Sequence, residues 1–187
     1  MPANDDPPEN SFRPWRVVER REVLSIPKRI TVAIETVELP DGRLVDDYVQ
    51  VHITDFITVF AETEAGQILC LRQYRHGARR TSLELVAGRI DGAEDPLLTA
   101  QRELLEETGY ASSDWRLLGS FVASPTQGIG TGHIFHARGA VWRQQPSSGD
   151  LEEPVLELLD RPALLAAVHR GEVVASSHLA AIALALL

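Results

Sequence analysis

The chain has 187 residues, enough for one well-packed domain and short for two, with 44% apolar and 24% charged residues, an ordinary balance for a globular protein. Its net charge of −9 argues against a nucleic-acid partner, because binding a phosphate backbone calls for a surplus of Lys and Arg. An acidic chain still accepts a phosphorylated small molecule where metal ions and a few arginines supply positive charge locally.

Residues 1–14 hold four of the eleven prolines and little apolar content, so a mobile tail is expected there. The tail is acidic rather than basic and then apolar, so no signal peptide is expected. Residues 15–25 and 28–39 read as strands, the second rich in β-branched residues and stopped by Pro40-Asp41-Gly42. Asp41-Gly42 predicts a hairpin turn, with 44–53 returning as the partner strand. Residues 56–62 and 67–74 make a second hairpin, and 81–86 a short strand leading into a glycine-containing loop, 87–94. The clearest helix follows: Asp95 suits the N-cap, Pro96 the first helical position and Gly109 the C-terminal cap. Strands at 115–122 and 133–141 flank a long loop, 123–132, and a polar stretch covers 144–154. Helices at 161–169, ended by Gly171, and at 177–187, capped by Ser176 or Ser177, complete the chain. The last of these contains the longest apolar run, which is too short to span a bilayer.

Strands first, one helix midway and two at the end predict an α/β (α+β) fold: a mixed sheet with helices on its faces, preceded by antiparallel N-terminal strands. No repeat or change of composition divides residues 15–187, so one domain is expected. The single cysteine, Cys70, cannot form an intrachain disulfide, which suits a reducing cytoplasmic setting. It lies in an apolar strand, as a packed thiol would. His133 and His136 lack the third ligand that a zinc site needs.

The chemistry concentrates between Gly88 and Tyr110. Positions three and four apart share a helix face, so Glu103, Glu106 and Glu107 converge, with Arg102 beside them. Three carboxylates gathered this way repel one another unless a cation sits among them. All-oxygen donors suit a hard ion, and Mg²⁺ is the usual one where a substrate phosphate completes the shell; Mn²⁺ is a possible substitute. A solvated acidic helix face is the plainer alternative, but the capped helix and the glycine-bearing lead-in make a richer pattern than a charge run.

That pattern resembles the signature of the Nudix hydrolase family, whose fixed positions are filled here by Gly88, Glu94, Arg102, Glu103, Glu106, Glu107 and Gly109, with Leu104 and Tyr110 in its apolar slots. Seven such matches at one start point have a chance probability on the order of 10⁻⁸ to 10⁻⁹, which removes coincidence as a competitor. Gln73-Tyr74-Arg75, the run Leu83-Glu84-Leu85-Val86-Ala87-Gly88 and the position of Pro125 are similar to the ADP-ribose pyrophosphatase branch. One departure is that Thr126-Gln127-Gly128 follows Pro125, where that branch has a glycine next; this bears on the choice of substrate.

The resemblance implies an α/β/α sandwich and a Mg²⁺-dependent diphosphatase. Glu103, Glu106, Glu107 and the Ala87 carbonyl would ligate metal, with Arg102 and Glu94 orienting the carboxylates. Glu153, or Glu152 beside it, would position the attacking water. Arg75 would clamp the diphosphate, Glu84 would contact metal or the ribose side unless it is a buried partner of Arg89, and Trp15, Tyr48 and Pro125 would line the substrate pocket. A homodimer is implied, formed through strands in 15–55. Implied substrates are ADP-ribose or a related nucleotide sugar such as GDP-mannose or ADP-glucose, or an oxidised nucleotide. The alternatives are a non-catalytic nucleotide-sugar-binding regulator on the same fold, and an isomerase, for which the required cysteine is missing.

Overall fold

The computed structural model describes residues 13–147, 149 and 154–187, which form two compact units. The first comprises residues 13–53 together with 124–130, and the second 54–123 with 131–187.

The first unit is an antiparallel three-stranded sheet of β1 (Arg16–Ile26), β2 (Ile30–Glu38) and β3 (Leu44–His52), in that order. The β2–β3 turn forms as its sequence predicts: Gly42 takes a left-handed φ of 85°, and the Arg43 N–H donates to Asp41 Oδ1 at 3.1 Å. Ala33 and Val37 of β2 are buried, whereas every residue of β1 is exposed.

The second unit is an eight-stranded mixed sheet with helices on both faces. Its strands are β4 (Phe56–Thr63), β5 (Ile68–Arg75), β6 (Arg80–Glu84), β7 (Val86–Arg89), β8 (Tyr110–Ala111), β9 (Asp114–Ser124), β10 (Ile129–Trp142) and β11 (Val155–Leu159). The order runs β11-β5-β4-β10-β8, with β6 on β5, β7 on β4 and β9 on β10. The β4–β10 pair is parallel, which makes the sheet mixed.

Side-chain alternation divides the strands between two cores. Ile57, Val59, Ala61, Leu69 and Leu71 pack against Ala100 and Leu104 of α1 (Pro96–Thr108). Phe60, Ile68 and Cys70 face the other way, onto Leu164 and Ala167 of α2 (Arg161–His169) and Ala181 and Ile182 of α3 (Ser176–Leu186). Burial pushes the Cys70 thiol up to about 12, so it packs as a small apolar group. No helix among the described residues is long and apolar enough to cross a membrane.

Three expectations need correction. The expected loop 87–94 begins as a strand: β7 carries Ala87 and Gly88 in ladder with Thr58 and Ile57, and the loop starts only after Arg89. The expected long loop 123–132 is the turn 125–128, because β9 and β10 extend into it. Ala175, not Ser176 or Ser177, is the N-cap of α3 and makes no side-chain cap bond.

Candidate active site

Helix α1 begins where its cap signals place it. Asp95 accepts from the Leu97 N–H at 2.7 Å, Pro96 opens the first turn, and Gly109 ends the helix in the left-handed region with its N–H bonded to the Leu105 carbonyl. These ends fix the phase of the helix. Leu104 and Thr108 are buried while Glu103, Glu106 and Glu107 line an adjoining, partly exposed face.

Arg102 organises that face. Its Nη1 donates to Glu103 Oε1 at 2.8 Å and to Glu106 Oε2 at 3.0 Å, and its Nη2 reaches Glu94 Oε2 at 3.4 Å. Partial burial opposes the charge on Arg102, but Glu103, Glu94 and Glu106 outweigh it and raise its pKa above the ordinary value. The Thr99 hydroxyl donates to Glu94 at 2.8 Å and, with Arg102, holds that carboxyl below the usual carboxylate range. One carboxylate oxygen of Glu107 is shut off from solvent.

At Gly88 a side chain would enter only if the Glu103 side chain moved aside. A Cβ built there would fall inside the contact radius of the Glu103 carboxylate, so β7 and α1 approach through the space that the missing side chain leaves. The neighbouring Ala87 is half-buried in the same strand. Among the described residues no three Asp, Glu, His or Cys side chains form a ready-made metal cluster. The donor set next to Gly88 is nonetheless all hard oxygen, and the cradle at Gly88 holds a carboxylate against backbone; both features fit a hard divalent cation.

At the β5–β6 edge, Glu84 is buried and held by Arg75, whose Nε lies 2.8 Å from each carboxylate oxygen, and by Gln73 Nε2 at 3.1 Å. Its partner is thus Arg75 rather than Arg89, which is exposed. Burial alone would push the Glu84 carboxyl up, but Arg75, with His178 and Ser82, outweighs it and holds the group below the usual range. In the first unit, Trp15 and Tyr48 meet edge to face at 5.4 Å, and the Tyr48 hydroxyl donates to the Thr126 carbonyl at 2.8 Å, next to Pro125. Glu152 and Glu153 lie outside the described residues.

The two histidines engage different partners. His133 Nδ1 is 2.9 Å from the Ser120 hydroxyl, and His136 Nε2 is 2.8 Å from Glu62. A third histidine, His178, escaped the sequence reading; it is buried in α3 and accepts the Leu85 N–H on Nδ1 at 2.8 Å. A lone histidine in an apolar helix gives no local signal of such a contact.

Comparison with known proteins agrees with this architecture. The NUDIX domain model matches residues 52–170. An ADP-ribose pyrophosphatase of Bacillus subtilis is 36% identical over 110 residues, 59% of this chain and 59% of that protein. A methanol dehydrogenase activator of Bacillus methanolicus is 30% identical over 131 residues, 70% of each chain. An ADP-ribose pyrophosphatase of Mycobacterium tuberculosis is 38% identical over 92 residues, 49% of this chain and 44% of that protein. Among solved structures, an ADP compounds hydrolase superposes with a TM-score of 0.79 over 94% of both chains at 16% identity, a likeness of fold. With its glutamate-bearing helix, its Gly88 cradle and a family match over most of its length, the chain belongs to the Nudix hydrolase family.

Proposed function

We propose that this protein hydrolyses the diphosphate linkage of a small nucleoside diphosphate derivative, ADP-ribose or a related nucleotide sugar, releasing a nucleoside monophosphate and a sugar phosphate. The observation that carries this reading is the Arg102-centred set of Glu94, Glu103 and Glu106, of which Glu103 lies against Gly88. The names of the Bacillus subtilis and Mycobacterium tuberculosis relatives support the substrate class.

In this reading Glu103, Glu106, Glu107 and the Ala87 carbonyl hold Mg²⁺, or Mn²⁺ in its place. When bound, the ion neutralises phosphate charge and lowers the pKa of a bound water. Arg102 and Glu94 keep the carboxylates in place without touching substrate. Arg75 offers a planar guanidinium fork to the diphosphate, and Glu84 fixes the direction of that fork. Glu153 or Glu152 takes the proton of the attacking water. Trp15, Tyr48 and Pro125 present flat apolar surface to the base. Residues 15–187 act as one catalytic chain in a cytoplasmic homodimer, with strands from 15–55 at the interface. The exposure of Val17, Val18, Val23, Leu24 and Ile26 along β1 supports that interface.

The test is a panel of ADP-ribose, ADP-glucose, GDP-mannose and oxidised nucleotides incubated with Mg²⁺, with phosphate read after a coupled phosphatase. Metal-dependent release of AMP from ADP-ribose is the expected result; no turnover of any member would sink the reading. A second reading, a regulator that binds nucleotide sugars without cleaving them, is favoured by the name of the Bacillus methanolicus relative. Saturable binding of ADP-ribose without product would select it.

A further inference from the structure

The strand that carries Gly88 changes partners just before it reaches the glutamate helix. Its first half, β6, pairs with β5 as far as the Leu71–Glu84 rung. Its second half, β7, pairs with β4 from the Val59–Val86 rung onward. Leu85 stands between the two ladders and belongs to neither, with only 1% of its surface exposed. A buried backbone N–H at such a switch has no strand partner and must find another acceptor.

That acceptor is a side chain. His178, the third residue of α3, is 5% exposed and accepts the Leu85 N–H on Nδ1 at 2.8 Å, which places its ring proton on Nε2. The segment before α3 reinforces the anchor: the Leu83 N–H donates to the Glu172 carbonyl at 2.9 Å, and the Val174 N–H to the Ser82 hydroxyl at 3.4 Å. Glu84, which holds Arg75, immediately precedes the switch. Ala87 and Gly88, the latter with Glu103 packed against it, follow within three residues. The single buried acceptor therefore stands behind both halves of the site.

We propose that His178 is a positioning residue for the diphosphate site: by accepting the Leu85 N–H it fixes where the strand leaves β5 for β4, and so sets Gly88 against Glu103 and Glu84 against Arg75. This rests on the hydrolase reading for its kinetic consequence, though not for its structural one. An apolar side chain at 178 would fill the space but leave the Leu85 N–H without its acceptor. Asparagine, whose Oδ1 sits near the place of Nδ1, would restore it; glutamine carries its amide too far along the side chain.

The experiment compares His178→Leu, His178→Asn and His178→Gln in the full-length protein. The leucine variant is expected to lose about tenfold or more in kcat as the Gly88–Glu103 approach shifts, and to rise in KM as the Arg75 fork loses its direction. The asparagine variant should recover to within about threefold of the parent. Amide exchange at Leu85 should quicken in the leucine and glutamine variants and stay slow in the asparagine one. If His178→Leu does not fold, the asparagine–glutamine contrast decides. An unchanged kcat in His178→Leu, or an asparagine variant as impaired as glutamine, overturns the proposal. Should the parent turn over no diphosphate, the hydrolase reading fails by itself, and exchange at Leu85 still decides the anchor: equal rates in all variants refute it.

Discussion

At the scale of single residues, the carboxylates differ in what surrounds them. Glu107 has an oxygen closed to solvent, whereas the Glu106 side chain is 40% exposed, so the two should answer differently to neutralisation. Glu107→Gln is expected to abolish turnover while leaving the thermal midpoint within a few degrees of the parent; an unaltered rate would remove Glu107 from the metal set. The Glu84–Arg75 pair is asymmetric, because the carboxylate is buried and the guanidinium is 46% exposed. Losing Arg75 strands a charge in the interior, while losing Glu84 leaves an arginine that water can solvate. Arg75→Ala should therefore cost roughly 1–3 kcal/mol in urea denaturation, and more than Glu84→Gln, once the exposure of the arginine is allowed for. The glutamates of α1 were legible in the sequence because spacing along one helix fixes their neighbours. The Arg75 partner of Glu84 was not, since it depends on how β5 and β6 are paired, and nothing local distinguishes it from Arg89.

At the scale of elements, the same contrast holds. Helix α1 could be read to its ends because Asp95, Pro96 and Gly109 each act within a turn of themselves. Strands β7 and β11 owe their existence to ladders with β4 and β5, and β8 to two rungs on β10, so their own residues announce little. Gly109 joins local and distant constraints. It sits at a φ of 76°, and a Cβ there would strike the Gln144 carbonyl oxygen. Gly109→Ala should lower stability by roughly 1–3 kcal/mol, read as a fall in the melting midpoint. A variant as stable as the parent would mean that the chain after Trp142 yields easily.

At the scale of the whole molecule, acidity and self-association are the testable properties. Burial holds His178 down to about 4, against an ordinary value of 6.5, with Glu84 opposing the shift and Arg75 adding to it. The unfolded chain therefore takes up a proton near pH 6.5 that the folded chain refuses until about pH 4, and stability falls as pH drops through that window. Glu84 acts in the same sense: its folded value is depressed, so the stability it contributes is present above its unfolded pKa and lost as pH falls through the folded one. Denaturation midpoints should decline between about pH 7 and pH 4.5, with on the order of 2–3 kcal/mol traceable to His178, and His178→Asn should flatten the slope. For assembly, light scattering is expected to give twice the 20.6 kDa chain mass, and Leu24→Asp on the exposed β1 to shift the protein toward monomer. A monomeric parent would refute the dimer.

The segment 124–130 belongs to the first unit although seventy residues of the second precede it. Its Gln127 carbonyl takes up the Val51 N–H at the outer edge of β3, and its Thr126 carbonyl takes up the Tyr48 hydroxyl. A ribosome delivering the chain from its N-terminus thus releases β1, β2 and β3 long before the piece that finishes them. The early sheet must wait with an open edge while most of the later one is translated, and a stall between residues 53 and 124 would leave that edge available to neighbouring chains.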